Sequence, residues 1–171
     1  MDLQTEAMIR QIKKGLLRWY DFKTSGHALY IGKTEDALAE ELIERLSVVI
    51  CADVDQTIQD DWQQEYAGYF DYIVSVTDLE KQEGPERILI RWKNLLKPDG
   101  RMLLGMNNRL GLRYFCGDRE SYTGRSFDGI ENYRRAYVKN EDTFQGRMYD
   151  RAALIGMLRD SGWQSVQFFS V

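Results

Sequence analysis

Residues Ala28 to Asp53 constrain the fold of this chain more than any other stretch. They read as an apolar strand (Ala28, Leu29, Tyr30, Ile31), a turn at Gly32-Lys33-Thr34, a helix, and a second strand that ends in an acid. Leu38, Leu42 and Leu46 recur every four residues with Ala39 and Ile43 beside them, so the middle segment has an apolar face for packing on a sheet. Thr34 is a suitable N-cap, and Glu35 and Asp36 place negative charge at the positive end of the helix dipole. Val48 to Ala52 form the short β-branched run expected of a parallel strand buried on both faces. Together these features predict the opening β-α-β unit of an α/β domain, a class in which ligands bind at the carboxyl ends of the strands. Asp53 stands at such an end, where a carboxylate can accept hydrogen bonds from both hydroxyls of a ribose or cap the next helix.

The pattern repeats downstream. From about Thr5 to Tyr20, Ile9, Ile12, Leu16, Leu17 and Tyr20 follow helical spacing with Arg10, Lys13, Lys14 and Arg18 on other faces. That predicts a leading helix within residues 1–22, packed across the sheet. Asp55 to Tyr66 carries Ile58, Trp62 and Tyr66 at four-residue intervals and predicts one amphipathic helix closed by Gly68. Phe70 to Val76 follows as a strand, and Pro85 starts a helix whose Ile88, Trp92, Leu95 and Leu96 share a face. Pro98-Asp99-Gly100 is a turn signal, after which Met102 to Met106 form the next strand. Residues 107–149 have no period but are rich in glycine, aromatics and arginine, which predicts an ordered loop excursion over the carboxyl edge of the sheet. Asp150 to Ser161 reads as a final helix, and the alternation from Trp163 to Val171 as a last strand.

A chain of 171 residues suits one domain over 1–171. Its net charge of −4, with both signs interspersed, argues against a nucleic-acid surface, which needs a clustered basic face. Cys51 and Cys116 read as free thiols, and the lone His27 lacks the company a metal site needs, so no metal is expected. No apolar run approaches membrane-spanning length, and the expectation is a cytoplasmic protein without a membrane partner.

With these residues in place, the chain resembles a class I S-adenosylmethionine-dependent methyltransferase from about Phe22 onward. The matching elements are Leu29-Tyr30-Ile31-Gly32 for the first motif, Asp53 for the acid after the second strand, Phe70 to Val76 for the family's fourth strand, and Leu95-Leu96-Lys97-Pro98-Asp99-Gly100-Arg101-Met102-Leu103-Leu104 for its fifth. Asn107 to Phe115 and Thr123 to Gly129 also look like a bacterial subgroup that accompanies glycosyltransferases in surface-polysaccharide clusters. The resemblance implies a Rossmann-like three-layer α/β/α sandwich around a mostly parallel sheet, shortened by the family's third and seventh strands. It implies S-adenosylmethionine as cofactor, with Tyr30, Gly32, Thr34, Asp53, Thr77 and Asp78 around it. Asn107, Asn108, Arg109, Arg113 and Arg125 become candidates for holding a small-molecule or sugar-type acceptor. Arg113 and Arg125 also have Asp118, Glu120 and Asp128 nearby as internal partners.

The departures from the family pattern are chemical. The first motif has an acid where Tyr30 stands and glycines where Thr34 and Asp36 stand; β-carbons there crowd a turn that needs bare backbone. Glu35 and Asp36 also bring carboxylates to the helix end that otherwise favours a ligand's anionic group. Three readings follow: an active methyltransferase, a non-catalytic relative with impaired or absent cofactor binding that uses the sheet edge and the arginine-aromatic loop to bind a partner enzyme or a nucleotide sugar, and a dinucleotide-binding oxidoreductase. The last is weakest, because the chain has no G-x-G-x-x-G turn.

Overall fold

Strand β1 (His27–Ile31) lies inside the sheet, between β2 (Val48–Ala52) and β3 (Phe70–Val76), and runs parallel to both. Leu29 is in register with Ile50 on one side and Ile73 on the other. Strand β4 (Leu96–Gly105) completes the order β2-β1-β3-β4. Bonds from Gly68 N–H to the Asn94 carbonyl and from Thr77 N–H to that of Gly105 give β4 the same direction as β3. This is the shortened, mostly parallel sheet expected from the sequence. The computed structural model describes residues 3–137 and 143–169. Among them, no helix is long and apolar enough to cross a membrane.

The chain divides into two compact units: Met1–Ser75 with Arg91–Leu103 and Gln167–Val171, and Val76–Ile90 with Leu104–Val166. In the first, α2 (Ala37–Arg45) buries Leu38, Ala39 and Leu42, the face that the four-residue spacing marks. Each of the two leucines removed from water contributes about 1.5–3 kcal/mol. Helix α1 (Leu3–Arg18) departs from expectation. It meets α2 through its cations: Arg10 pairs with Glu40, Lys14 with Glu44 at 2.9 Å, and Arg18 with Glu41 at 3.5 Å, around the buried Leu17. Met8, Ile9 and Ile12 face outward instead of covering the sheet. The acids Glu40, Glu41 and Glu44 on α2 decide that orientation, since a cation leaves water only beside an opposite charge.

Three further expectations need correction. Val48 to Ala52 is half-buried along most of its length, because no strand covers its outer edge among the described residues. The single helix expected over Asp55 to Tyr66 is two short ones, α3 (Val54–Thr57) and α4 (Asp60–Glu65). Gln59 is extended at the break, where the Gln63 amide bonds the Thr57 carbonyl at 2.8 Å in place of a helical N–H. The break lets buried Thr57 accept the Trp92 indole N–H at 2.9 Å, so a large core ring keeps its polar group satisfied. Residues 163–169 form no strand: only Trp163 and Val166 are half-buried, and the alternation gives no covered face. The last two residues of that expected strand, 170 and 171, lie outside the described residues.

Helix α5 (Pro85–Leu95) starts at its proline as expected, whereas β4 begins earlier than Met102 and includes the Lys97-Pro98-Asp99-Gly100 signal. An edge strand tolerates proline because the missing N–H is not needed for pairing. In the second unit the excursion after β4 holds one helical turn, α6 (Leu112–Phe115), and isolated bridges at Asn108–Tyr149 and Arg119–Ser126. Residues 138–142 of that excursion lie outside the described residues. Asp150 then caps α7 (Arg151–Asp160) by accepting the Ala153 N–H at 2.8 Å.

Candidate functional site

In the first unit the candidate site is the turn after β1. Gly32 N–H donates to the Ala52 carbonyl at 3.0 Å and so ties the turn to β2. Gly32 has φ +152, a conformation L side chains rarely adopt. The space beside it is filled by Tyr30: a Cβ on Gly32 would stand 2.6 Å from Cε1 of that ring. The ring is held there. Tyr30 is buried, and its hydroxyl donates to Asp36 Oδ2 at 2.9 Å.

Asp36, and not Thr34, caps α2: its side chain accepts the Leu38 N–H. The carboxylate therefore serves both the helix and Tyr30, which is why the helix starts two residues later than Thr34 predicts. Thr34 is exposed, and burial pushes the neighbouring Cys51 thiol above its ordinary value. Asp53 caps α3, with Oδ1 accepting the Gln56 N–H at 2.8 Å, and remains exposed at the end of β2.

In the second unit Thr77 takes φ +67 while its N–H pairs with Gly105. Asp78 follows, pairs with Lys81 at 3.3 Å, and leads into a single 3-10 turn, Leu79–Lys81. The centre of this region is Glu80, a residue the sequence reading passes over, whose side chain is fully buried. One oxygen accepts the Asn107 N–H, and the other accepts the Tyr122 hydroxyl at 2.6 Å and the Asn107 amide at 3.3 Å. Burial pushes the Glu80 carboxyl above its ordinary value, and the hydrogen bonds only partly offset that. Burial and the Glu80 bond likewise push the Tyr122 hydroxyl well up.

A second buried acid, Glu120, accepts the N–H groups of Tyr122 and Thr123 at 3.0 and 2.7 Å and the Tyr133 hydroxyl at 3.2 Å. The Arg147 N–H closes the circuit on the Glu80 carbonyl at 2.8 Å. None of this has a signal in sequence beyond the aromatic richness of the excursion.

The acceptor candidates are mostly committed to the excursion itself. Asn107 holds Glu80, and Asn108 accepts the Leu110 N–H at 3.0 Å. Arg109 forks onto Asp150 and also donates to the Gly129 and Ile130 carbonyls. Arg113 pairs with Asp118 at 3.2 Å, and Arg125 with the buried Asp128 at 2.7 Å. Internal pairing thus takes up Arg113 and Arg125 as the nearby acids allowed, and Arg109 through the distant Asp150. Among the described residues, no cluster of His, Cys, Asp and Glu has the makings of a metal site.

No family model and no curated protein matches the sequence. Solved structures do. A SAM-dependent methyltransferase of Archaeoglobus fulgidus superposes with a TM-score of 0.60 at 15% identity, over 90% of this chain and 68% of its own. Another SAM-dependent methyltransferase, of Thermotoga maritima, gives 0.52 at 15% identity over 90% of this chain and 70% of its own. The Haemonchus contortus phosphoethanolamine N-methyltransferase 2, solved with phosphomonomethylethanolamine and S-adenosylhomocysteine, gives 0.53 at 16% identity over 89% of this chain and 36% of its own. At such identities the likeness is one of architecture, and it agrees with the strand order and parallel pairing: the chain has a short, class I methyltransferase-like fold.

Proposed function

We propose that this protein is a methyltransferase-fold binding module that does not take up S-adenosylmethionine. The observation that carries this reading is the Tyr30 ring lying on Gly32 and anchored by its hydroxyl to Asp36. A sulfonium nucleoside needs that backbone bare for close approach. Here it meets a buried ring, and beyond the ring a carboxylate that repels its own carboxylate. The residues do not fit the cofactor, and no methyl-transfer step is drawn through them.

The partner class comes from the other unit. Its arginine-and-aromatic excursion resembles that of proteins accompanying glycosyltransferases, which points to a partner enzyme of polysaccharide assembly or a sugar-type ligand. Calorimetric titration of the native chain with S-adenosylmethionine and S-adenosylhomocysteine tests the reading. No binding heat is expected at about 1 mM ligand, whereas Tyr30→Asp combined with Asp36→Gly, which restores the family's acid and glycine, gains binding. Saturable binding by the native chain that is lost in Asp53→Ala would make it an enzyme instead. Tight NAD binding would point to redox chemistry.

A further inference from the structure

The two edges of the sheet are built differently. Strand β4 carries Lys97, Pro98, Asp99 and Arg101, the charges and proline with which proteins keep an edge from pairing with another chain. Strand β2 carries Val48, Val49, Ile50, Cys51 and Ala52, with no charge and no proline, and among the described residues β1 is its one neighbour in the sheet. Its free side can be assigned. The Ala52 carbonyl accepts the Gly32 N–H and so points toward β1. Backbone groups alternate sides along a strand, so Val48 and Ile50 also point inward, while the N–H and C=O groups of Val49 and Cys51 point out of the sheet.

We propose that the β2 edge pairs antiparallel with the β2 edge of a second copy of this chain, across a two-fold axis at Ile50. Val49 and Cys51 lie one residue on either side of that axis. Val49 of one copy therefore faces Cys51 of the other, and the reverse, in two hydrogen-bonded pairs that each exchange two bonds. Ile50 faces its own copy in the close, non-hydrogen-bonded position between them. Charge selects this arrangement. Asp53 and Asp55 are exposed just beyond the strand's carboxyl end, and a parallel match would bring Asp53 against Asp53. The two-fold instead carries these acids to the Ser47 and Arg45 end of the other copy. In a chain with net charge −4, this neutral strip also lets two copies approach without like charges meeting along the seam.

Sedimentation velocity of the full chain from about 1 to 100 µM tests the proposal, with Val49→Pro as the first variant. Its N–H points outward, so the substitution removes two bonds across the seam and none within the sheet. A reversible dimer is expected, weakened about tenfold or more by Val49→Pro. As a second readout, Ile50→Cys in a Cys51→Ser, Cys116→Ser background is expected to form a disulfide-linked dimer on mild oxidation, because the facing Cα atoms stand about 4.5 Å apart. A monomer at 100 µM overturns the proposal. So does a dimer that neither weakens in Val49→Pro nor crosslinks through Ile50→Cys, and so do open-ended polymers.

Discussion

Two tyrosines, one in each unit, make the same pair of contacts in unlike surroundings. Tyr30 and Tyr122 each lay a ring where the Cβ of a positive-φ glycine would stand, Gly32 and Gly146, and each donates its hydroxyl to a carboxylate, Asp36 and Glu80. Asp36 is six residues from its tyrosine at a helix start that solvent reaches, whereas Glu80 is 42 residues away and fully buried. The first contact closes a turn on itself. The second fastens distant chain, and its strength depends on every lone pair of a desolvated acid being used.

The sharpest way to break that contrast is Glu80→Ala against Asp36→Ala. Removing Glu80 leaves the part-buried Tyr122 hydroxyl and Asn107 N–H without their acceptor, while the amide of the exposed Asn107 turns to water, a loss of about 3 kcal/mol at 1–3 kcal/mol per desolvated group. Asp36→Ala removes an N-cap and one tyrosine bond from a carboxylate that is itself only half-buried, at about 1–2 kcal/mol. Urea unfolding read by tyrosine and tryptophan fluorescence measures both. Equal losses would mean that burial does not distinguish the two pairs.

The glycines rank next. An added methyl at Gly146 meets Tyr122 at 2.5 Å and also the Glu80 carbonyl at 3.0 Å, a backbone atom that cannot swing aside. At Gly32 all the nearest atoms belong to the Tyr30 side chain. Both positions also strain an L residue at positive φ, by about 1–3 kcal/mol. Gly146→Ala is therefore expected to destabilise more than Gly32→Ala. Gly32→Ala displaces the ring, which near-ultraviolet circular dichroism detects.

Titration sharpens the comparison from the side of charge. The Glu80 carboxyl sits above its ordinary 4.5 because burial disfavours the anion. The folded chain then binds the proton more tightly than the unfolded chain. Stability from this group is fully present below pH 4.5 and is lost as pH rises through the folded value, at up to about 1.4 kcal/mol per pH unit. Asp150 has the opposite sign: the Ala153 N–H, with Arg109, holds its carboxyl below 3.8, so its contribution is present above that value and lost as pH falls. Unfolding midpoints of native protein and Glu80→Gln, measured from pH 4.5 to 8, are expected to converge at the acid end and diverge at the alkaline end.

What the sequence made legible was periodic. The strands at Ala28 to Ile31 and Phe70–Val76, the α2 face and the proline start of α5 each follow from spacing within one segment, and a parallel sheet is the arrangement in which those faces are buried. What it hid was partnership across long separations. The outward turn of Met8 and Ile12 depends on acids in another helix, and the break at Gln59 on an indole 33 residues later. Glu80 sits in a polar run with no period, so its burial could not be read without Tyr122 and Asn107 beside it. At the candidate site, crowding of the turn by Tyr30 was legible, but the bond to Asp36 that fixes the ring over Gly32 was not, and Thr34 stands exposed.

The smallest expected effect concerns Asp53, the residue with two readings from the start. As the cap of α3 it holds one helix of four residues through the Gln56 N–H, and Asp53→Ala then costs about 1 kcal/mol. Asp53→Asn keeps a capping oxygen and restores most of that loss, while it weakens acceptance from ribose hydroxyls. The pair of substitutions thus separates the roles on one protein. If the acid only caps the helix, stability falls in the alanine variant and recovers in the asparagine variant, with no change in titration heat for any nucleoside. A nucleoside titration that distinguishes native from Asp53→Asn at unchanged stability would give the acid a ligand. It would also remove the ground for reading the Tyr30 turn as closed, since the ribose and the turn serve the same cradle in this fold.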